Sequence, residues 1–558
     1  MPSTSAETSD APQKSGGALA PLKQPSFRLI WSASVVSNFG QLILGVGAAW
    51  QMLQLKAPPD MVALVQSALM LPLMLVTVPA GALADVFDKR KVAIVGLCLA
   101  SVCAATLTVL ATMGMATPWV LLGFCALIGT GVALYAPSWQ SSIPEQVPPD
   151  DLPAAVALGS ISYNVARSFG PALGGAIVAI FGSVVAFGGN AVCYLPLIFA
   201  FIMWRRPKTQ STLPRERVFS ALVAGARFVR HSPNTRNVVF RAGLFGIAGA
   251  SQAALTPLIA TDLLGGGPTT IGILLGGFGV GAVIGALYIA QLRQHFSSEW
   301  IIRVCGLITG LMTLTMGLSH NIYLTLAAMA IAGATWMILL ALHNVAVQVS
   351  TPRWVTGRAL SWYQSALTGG IAIGAWLWGL ATTEWGLTIA LSGSAVALLA
   401  SPILTWLLPM PTTAMSDIEA VPIQYEPNVA LDMTPRSGPV LIEIEYRIAE
   451  DKAQEFYETV LELERARMRN GAYDWSISRD ISDLEVWIER YQFPTWSDYL
   501  RQQQRFTNAD RDLHRRVAAL RLNEDMIIRR RLERPFGASA SASGRANPIN
   551  VFNPFGGA

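Results

Sequence analysis

The sequence predicts an all-α polytopic membrane protein, twelve transmembrane helices in two six-helix halves, followed by a small soluble α+β domain. Three observations carry that expectation. Of the 558 residues 52% are hydrophobic and only 13% charged, more apolar sequence than a soluble core of this length needs. Charge is unevenly placed, with 33 charged side chains in residues 1–410 and 42 in residues 411–558. The apolar residues before position 410 fall into twelve runs of about 20 residues or more, the length a helix needs to cross a hydrocarbon core of roughly 30 Å.

Residues 1–25 are rich in Ser, Ala, Pro and Gly and lack an apolar core with a cleavage site, so they read as a disordered arm rather than a signal peptide. Spans follow at 27–54, 61–84, 91–113, 118–138, 154–180 and 183–204, within a first half covering 26–204. A second half, 237–410, holds spans at 237–262, 268–292, 300–318, 321–347, 359–381 and 386–408. Several exceed the bilayer thickness, which permits tilt. Between the halves the basic stretch 205–236 contains "PRERVFSALVAGARFVRHSP", an amphipathic helix by periodicity. Six spans plus six suggest two transporter halves, a repeat inferred from hydropathy alone.

Arg28, Lys89 to Lys91, the central-loop arginines, Arg293, Arg353 and Arg358 fall on one side of the spans and only Lys56 on the other, which places both termini in the cytoplasm. The loop "PEQVPPDDLP" is an exception, with Glu145, Asp150 and Asp151 where a helix N-terminus favours acids. All five cysteines lie in apolar runs without CxxC spacing, so they read as small buried residues, and neither metal nor cofactor is expected. The lack of a Walker A segment argues against ATP as the energy source.

"GALADVFDKRK" places a charge cluster between spans two and three. A solvated basic loop explains Lys89, Arg90 and Lys91 but not Asp85. This stretch resembles the cytoplasmic signature of the major facilitator superfamily. The resemblance implies that Gly81, Asp85, Lys89 and Arg90 form a cytoplasmic gate, with Asp85 and a loop arginine locking one state. Asp88 stands where that family usually has Gly, and Val86 where a basic residue is frequent.

In span five, "NVARSFGPALGG" carries Gly170, Pro171, Gly174 and Gly175. It resembles the motif of drug and proton antiporters in the same superfamily, which implies export; helix packing through small residues is the alternative. Arg167 lies near the bilayer midplane, where a cation is expensive, so it either binds an anionic substrate group or holds the halves together. Asn164 sits on the same span. Because spans one, four, seven and ten line the cavity in this superfamily, the resemblance also implies Asn38, Gln41, Tyr135 and His343 as lining residues. Taken singly, each is more often a helix–helix hydrogen bond or an interfacial anchor, and His343, near the cytoplasmic end of span ten, also fits a hydrated residue. No Asp or Glu falls in the middle of a span, which leaves Asp85, His343 or a span-end carboxylate for proton coupling, or else a facilitator.

"FRLIWSASVVSNFG", "YAPSWQSSIPEQVPPDDLPAAVALGSISYNVARSFGPALGG" and "GRALSWYQSAL" resemble the bacterial secretion branch of the superfamily that includes enterobactin exporters, over residues 27–410. That resemblance implies a secondary exporter in the bacterial inner membrane, moving small amphipathic molecules such as siderophores or drugs, with proton antiport as one means of coupling.

After a linker at 411–437, residues 438–535 read in the order βαββαβ, a ferredoxin-like arrangement. "PVLIEIEYRI" alternates as a strand, and "TWSDYLRQQQRFTNADRDLHRRVAAL" reads as a single second helix. The domain resembles cofactor-free antibiotic-biosynthesis monooxygenases, which implies small-molecule modification, sensing or homodimerisation as its role. His514, Trp475, Trp487 and Tyr491 are candidate pocket residues, with core or dimer packing favoured. Its arginines alternate with acids and read as a solvated face, not a nucleic-acid site. Residues 536–558 form a low-complexity tail. The expected partners are the lipid bilayer, a small-molecule substrate, protons and a second copy of this domain.

Overall fold

A computed structural model describes residues 19–204, 218–352, 354–410, 429, 431, 433–522 and 527–533, without the side chains of 81, 82, 84–86, 149, 153, 218–222 and 503–504. The arm up to residue 18, most of the linker and the tail from residue 534 lie outside the described residues.

Among the described residues, twelve helices are long and apolar enough to cross a membrane. The first half contains α1 (Pro25–Gln54), α2 (Pro59–Val86), α3 (Lys89–Thr112), α4 (Pro118–Ser142), α5 (Leu152–Phe181) and α6 (Ser183–Met203). The amphipathic helix of the central stretch is α7 (Val218–His231). The second half contains α8 (Pro233–Leu263), α9 (Pro268–His295), α10 (Ser298–Leu318), α11 (Ile322–Val349), α12 (Thr356–Trp385) and α13 (Leu387–Leu407). In hydrocarbon each backbone donor must be satisfied within its own segment, which is why these runs are helical. Their ends are set by local chemistry: Asp88 caps α3 through the Arg90 amide, Thr117 caps α4 with Pro118 at its first position, and Ser297 caps α10.

Three elements of the membrane part differ from the sequence expectation, one of them span twelve, which turns at Ala400 and restarts at Ser401. Residues Ala20–Lys23, expected within the disordered arm, form a short 3-10 turn, because Pro21 is buried and Leu22 packs on the helical core. Span seven is not continuous: α8 is regular over Pro233–Gly249, restarts at Ser251–Ala254 and Thr256–Leu258, and ends in a wide turn, Ile259–Leu263. Pro257 has no amide to donate there, which removes one helical bond.

By contact, the chain forms two compact units: 1–221 with 239–344 and 363–409, and 222–238 with 345–362 and 410–558. In the first, α1 and α5 lie side by side through Trp31 Nε1, which donates to the Leu158 carbonyl at 2.8 Å. The two halves meet where α5 crosses α9. A Cβ on Gly175 would sit 2.5 Å from the Pro268 carbonyl oxygen and 2.9 Å from the Gly272 Cα, so only glycine permits this approach.

The second unit carries the ferredoxin-like domain: β1 (Val440–Arg447), α14 (Ala453–Arg469), β2 (Tyr473–Arg479), β3 (Val486–Phe493), α15 (Trp496–Gln504), α16 (Asn508–Leu520) and β4 (Ile527–Leu532). The antiparallel sheet has the order β2-β3-β1-β4, with Ile442 opposite both Tyr491 and Arg530. The single second helix expected from sequence is two helices. Thr507 accepts from the Asp510 amide while the Asp510 side chain accepts from the Thr507 amide, a capping box that starts α16 afresh. Part of the expected linker belongs to the domain, since the Ser437 carbonyl accepts from the Trp496 amide at 2.7 Å and Met433 packs on the core.

That core encloses a charge. Glu489 on β3 is fully buried and accepts from the Tyr446 hydroxyl at 2.7 Å, Trp475 Nε1 at 3.0 Å and Arg467 Nε at 3.3 Å. The Arg467 guanidinium lies 4.8 Å from the Tyr491 ring centroid, and Trp487 packs edge-on against Phe456. His514 donates from Nδ1 to the Asp510 carbonyl, and burial, reinforced by the Arg467 charge, pushes it down to about 4. Three of the four candidate pocket residues in this domain thus surround or neighbour one internal ion pair, which sequence alone does not reveal because Glu489 sits in a strand of alternating polarity.

The same unit joins this domain to membrane-flanking segments. Arg227 on α7 donates from Nη1 to the Gly471 carbonyl at 2.8 Å. The Arg505 guanidinium lies 4.1 Å from the centroid of Trp354, between α11 and α12, and Phe228 meets the same Trp354 edge-on at 5.8 Å.

Gly175→Val is expected to destabilise the solubilised protein by about 1–3 kcal/mol through overpacking, read as a lower thermal midpoint. Gly189→Ala, whose Cβ meets nothing within 4 Å, serves as the unchanged control. The soluble domain is expected to lose stability as pH falls from 6.5 towards about 4, because the unfolded chain protonates His514 before the folded domain does. Hydrogen exchange over residues 440–532 checks this, and His514→Gln should flatten the slope.

Candidate functional site

The spans have a basic end, bearing Lys89 and Arg90, and an opposite end. Between the halves, contacts begin at the opposite end. The Asp60 amide at the start of α2 donates to Thr383 Oγ1 of α12 at 3.2 Å, and Gly175 meets Gly272 across α5 and α9. They continue to mid-span, where Ser67 Oγ donates to the Ala372 carbonyl at 2.7 Å, Ser365 Oγ to the Met74 carbonyl at 2.6 Å, and Ser168 Oγ to the Gly279 carbonyl at 3.0 Å. Each is a small hydroxyl satisfied by the facing helix, which keeps the backbones close without burying an unpaired polar group.

Arg167 sits at this crossing, halfway along the 30-residue α5. Its guanidinium lies 5.5 Å from the ring centroid of Phe278 on α9, in the other half. A cation over an aromatic face is partly compensated, yet no carboxylate pairs with it among the described residues. Gly279 exists because a Cβ there would meet the Arg167 carbonyl oxygen at 2.6 Å. Beside it, Asn164 Nδ2 donates to the Ser160 carbonyl within α5.

The glycine motif faces two neighbours. Gly170 and Gly174 abut α1, where added Cβ atoms would approach Leu42 Cβ and Ile43 Cα at 3.0 Å, while Gly175 faces α9. Pro171 is buried between them. On α1, Asn38 Nδ2 donates to Ser162 Oγ of α5 at 3.1 Å, and Gln41 is half-buried one turn further on.

In the gate stretch, Gly81 and Asp85 belong to the end of α2, but their side chains lie outside the described residues. Lys89 Nζ pairs with Glu145 Oε1 at 3.0 Å and donates to the Ser141 carbonyl at 2.8 Å, bracing α3 on the end of α4. Glu145 therefore serves an ion pair in the turn that closes α4, and not the start of α5, which begins at Leu152. Arg90 donates from Nη2 to the Ile202 carbonyl of α6, and Asp88, in the usual glycine position, caps α3.

Tyr135 and His343 lie elsewhere. Tyr135 is buried edge-on to Phe201, in an aromatic cluster with Trp139 and Phe27. His343 is 3% exposed: α11 carries it against Phe245 of α8, and its Nδ1 is bonded to the Leu339 carbonyl. Sequence reasoning passed over two polar features. Gln252, at the break in α8, is 2% exposed and donates to Thr313 Oγ1 at 2.8 Å. Arg241 is 3% exposed within α8 and pairs with Glu299 at 3.2 Å. The arginine in "NVVFRAGLF" was the signal that could have found it, as a charge inside an apolar run.

The profile described as transmembrane secretion effector matches residues 16–535. Among curated relatives, a staphyloferrin A transporter of Staphylococcus aureus is 22% identical over 60% of this chain and 84% of its own. A multidrug efflux pump, Tap, of Mycolicibacterium fortuitum is 23% identical over 61% and 84%. An enterobactin exporter of Citrobacter koseri is 26% identical over 64% and 85%. Among solved structures, a bacterial homologue of the human lysosomal transporter Spinster, inward-facing and occupied, superposes with a TM-score of 0.58 at 14% identity, covering 70% of this chain and 97% of that one. At that identity the likeness is one of fold. Twelve spans in two halves, that shared fold and a profile match across nearly the whole chain lead to one conclusion: the chain belongs to the transmembrane secretion effector family of major facilitator transporters.

Proposed function

We propose that this transporter is a secondary exporter of small amphipathic molecules, siderophores or lipophilic drugs, working by alternating access in the bacterial inner membrane with both termini in the cytoplasm. The observation that carries the reading is Arg167, a cation at mid-span where the two halves cross and where no described carboxylate pairs with it. A guanidinium partly withdrawn from water attracts an anionic or oxygen-rich group more strongly than one fully in water. The names of relatives, siderophore and multidrug exporters among them, support that cargo class. Half-to-half hydrogen bonds running from the opposite end to mid-span support a state open at the basic end.

Reversal of that state requires contacts at the basic end to form as others part. Asp85 is the group we assign to that closure, with Gly81 giving room for helix approach, and Lys89 and Arg90 bracing the neighbouring helices. Proton antiport is the coupling we favour, through Asp85 or a span-end carboxylate. For the soluble domain we favour a sensing role over homodimerisation, since Arg227 and Arg505 bind it to segments flanking the spans.

Transport of a panel of siderophores and lipophilic dyes into inverted vesicles, with and without an imposed pH gradient, tests the reading. Gradient-driven uptake is expected, and movement indifferent to every gradient would replace antiport with facilitation. Asp85→Asn should abolish gradient-driven uptake while the protein remains folded in the membrane. Arg167→Ala should weaken cargo binding by about tenfold, the scale of one charge-assisted hydrogen bond; unchanged binding would leave Arg167 as a packing residue.

A further inference from the structure

A cavity of about 390 Å³ lies inside the second half, among α8, α10, α11, α12 and α13. Its walls include Leu244, Phe245, Ile302, Trp378 and Leu404, with Arg241 and His343 as the charged and titratable members. It is separate from the crossing at Arg167, and its binding chemistry does not depend on the direction of transport.

The polar end of this cavity is unevenly balanced. Arg241 makes its bonds through Nη1, to both Glu299 oxygens at 3.2 Å and to the Leu408 carbonyl at 2.9 Å. Its Nε and Nη2 donate to no described residue, although the side chain is 3% exposed. Arg303 lies near enough to act electrostatically on Arg241 and donates from Nε to Thr405 Oγ1, on the cavity wall, at 2.7 Å. Arg303 itself is exposed, so the donors left for a ligand on the cavity side are those of Arg241, and buried N–H groups of a guanidinium are costly until an acceptor joins them. His343 has its Nδ1 proton committed to the Leu339 carbonyl, so its neutral form brings no compensating charge.

We propose that this cavity binds a monoanionic amphipath, with one apolar chain among Phe245, Ile302 and Trp378 and its acidic head against the open donors of Arg241. The volume is at the low end for small-ligand sites and accommodates one acyl chain. Both an anionic membrane lipid and a free carboxylate amphipath present this chemistry.

The test is equilibrium binding of tritiated laurate to the full-length protein in phosphatidylcholine nanodiscs. Saturable binding of one laurate per chain is expected, with methyl laurate, which has no charge, competing at least about tenfold more weakly, the scale of a lost charge-assisted hydrogen bond. Ala248→Phe, which fills the cavity from α8, should abolish binding; should that variant fail to fold, Ala397→Phe fills it from α13. In nanodiscs containing phosphatidylglycerol, loss of laurate binding identifies the membrane lipid as occupant, and retention identifies the free amphipath. Absence of saturable binding in phosphatidylcholine, equal competition by methyl laurate, or binding undiminished in the folded phenylalanine variants would overturn the proposal.

Discussion

The close approach of α5 to α9 is the contact on which the membrane arrangement depends. Lipid tails are as apolar as leucine side chains, so two bundles in a bilayer gain little from burying hydrophobic surface against each other. What holds them is backbone proximity, and Gly175 and Gly272 supply it by having no side chain to interpose. Ser168, Ser67 and Ser365 then exploit the proximity, each hydroxyl finding a carbonyl across the boundary. The same closeness brings Arg167 under Phe278, so the mid-span cation follows from the packing of small residues around it.

How much of this was legible in the sequence depends on the range of the interaction. Hydropathy is a local property, and all twelve spans, the amphipathic α7 and the four strands of the soluble domain could be read from it. Caps are nearly as local, yet Thr507 was passed over and two helices were read as one. Partnerships across the chain were not legible. Nothing near Lys89 in sequence names Glu145, and nothing near Glu489 names Tyr446 or Arg467. His343 shows the same limit, since its position near a span end suggested water, whereas α8 and α11 close over it.

The membrane part and the soluble domain handle buried charge differently. In the domain, Glu489 is surrounded by three donors and Arg467 by a carboxylate and an aromatic face, so the pair is closed on itself. Truncating one partner of such a pair leaves the other charge buried and uncompensated, and this costs more than the pair contributes. In the spans, Arg167 and Arg241 keep capacity in reserve. A transporter needs that difference, because a charge with all its bonds satisfied has nothing to offer a ligand.

The contacts of Arg227 with Gly471 and of Trp354 with Arg505 also bear on biosynthesis. In each, one partner precedes or lies between the later spans and the other follows the last span. A chain made from its N-terminus presents the twelve spans before residues 471 and 505. These contacts can therefore form only after the spans have been made, and a product cut short between residues 407 and 471 would lack them with every span in place. Docking of the soluble domain on α7 and on the Trp354 turn is thus a late event in biosynthesis.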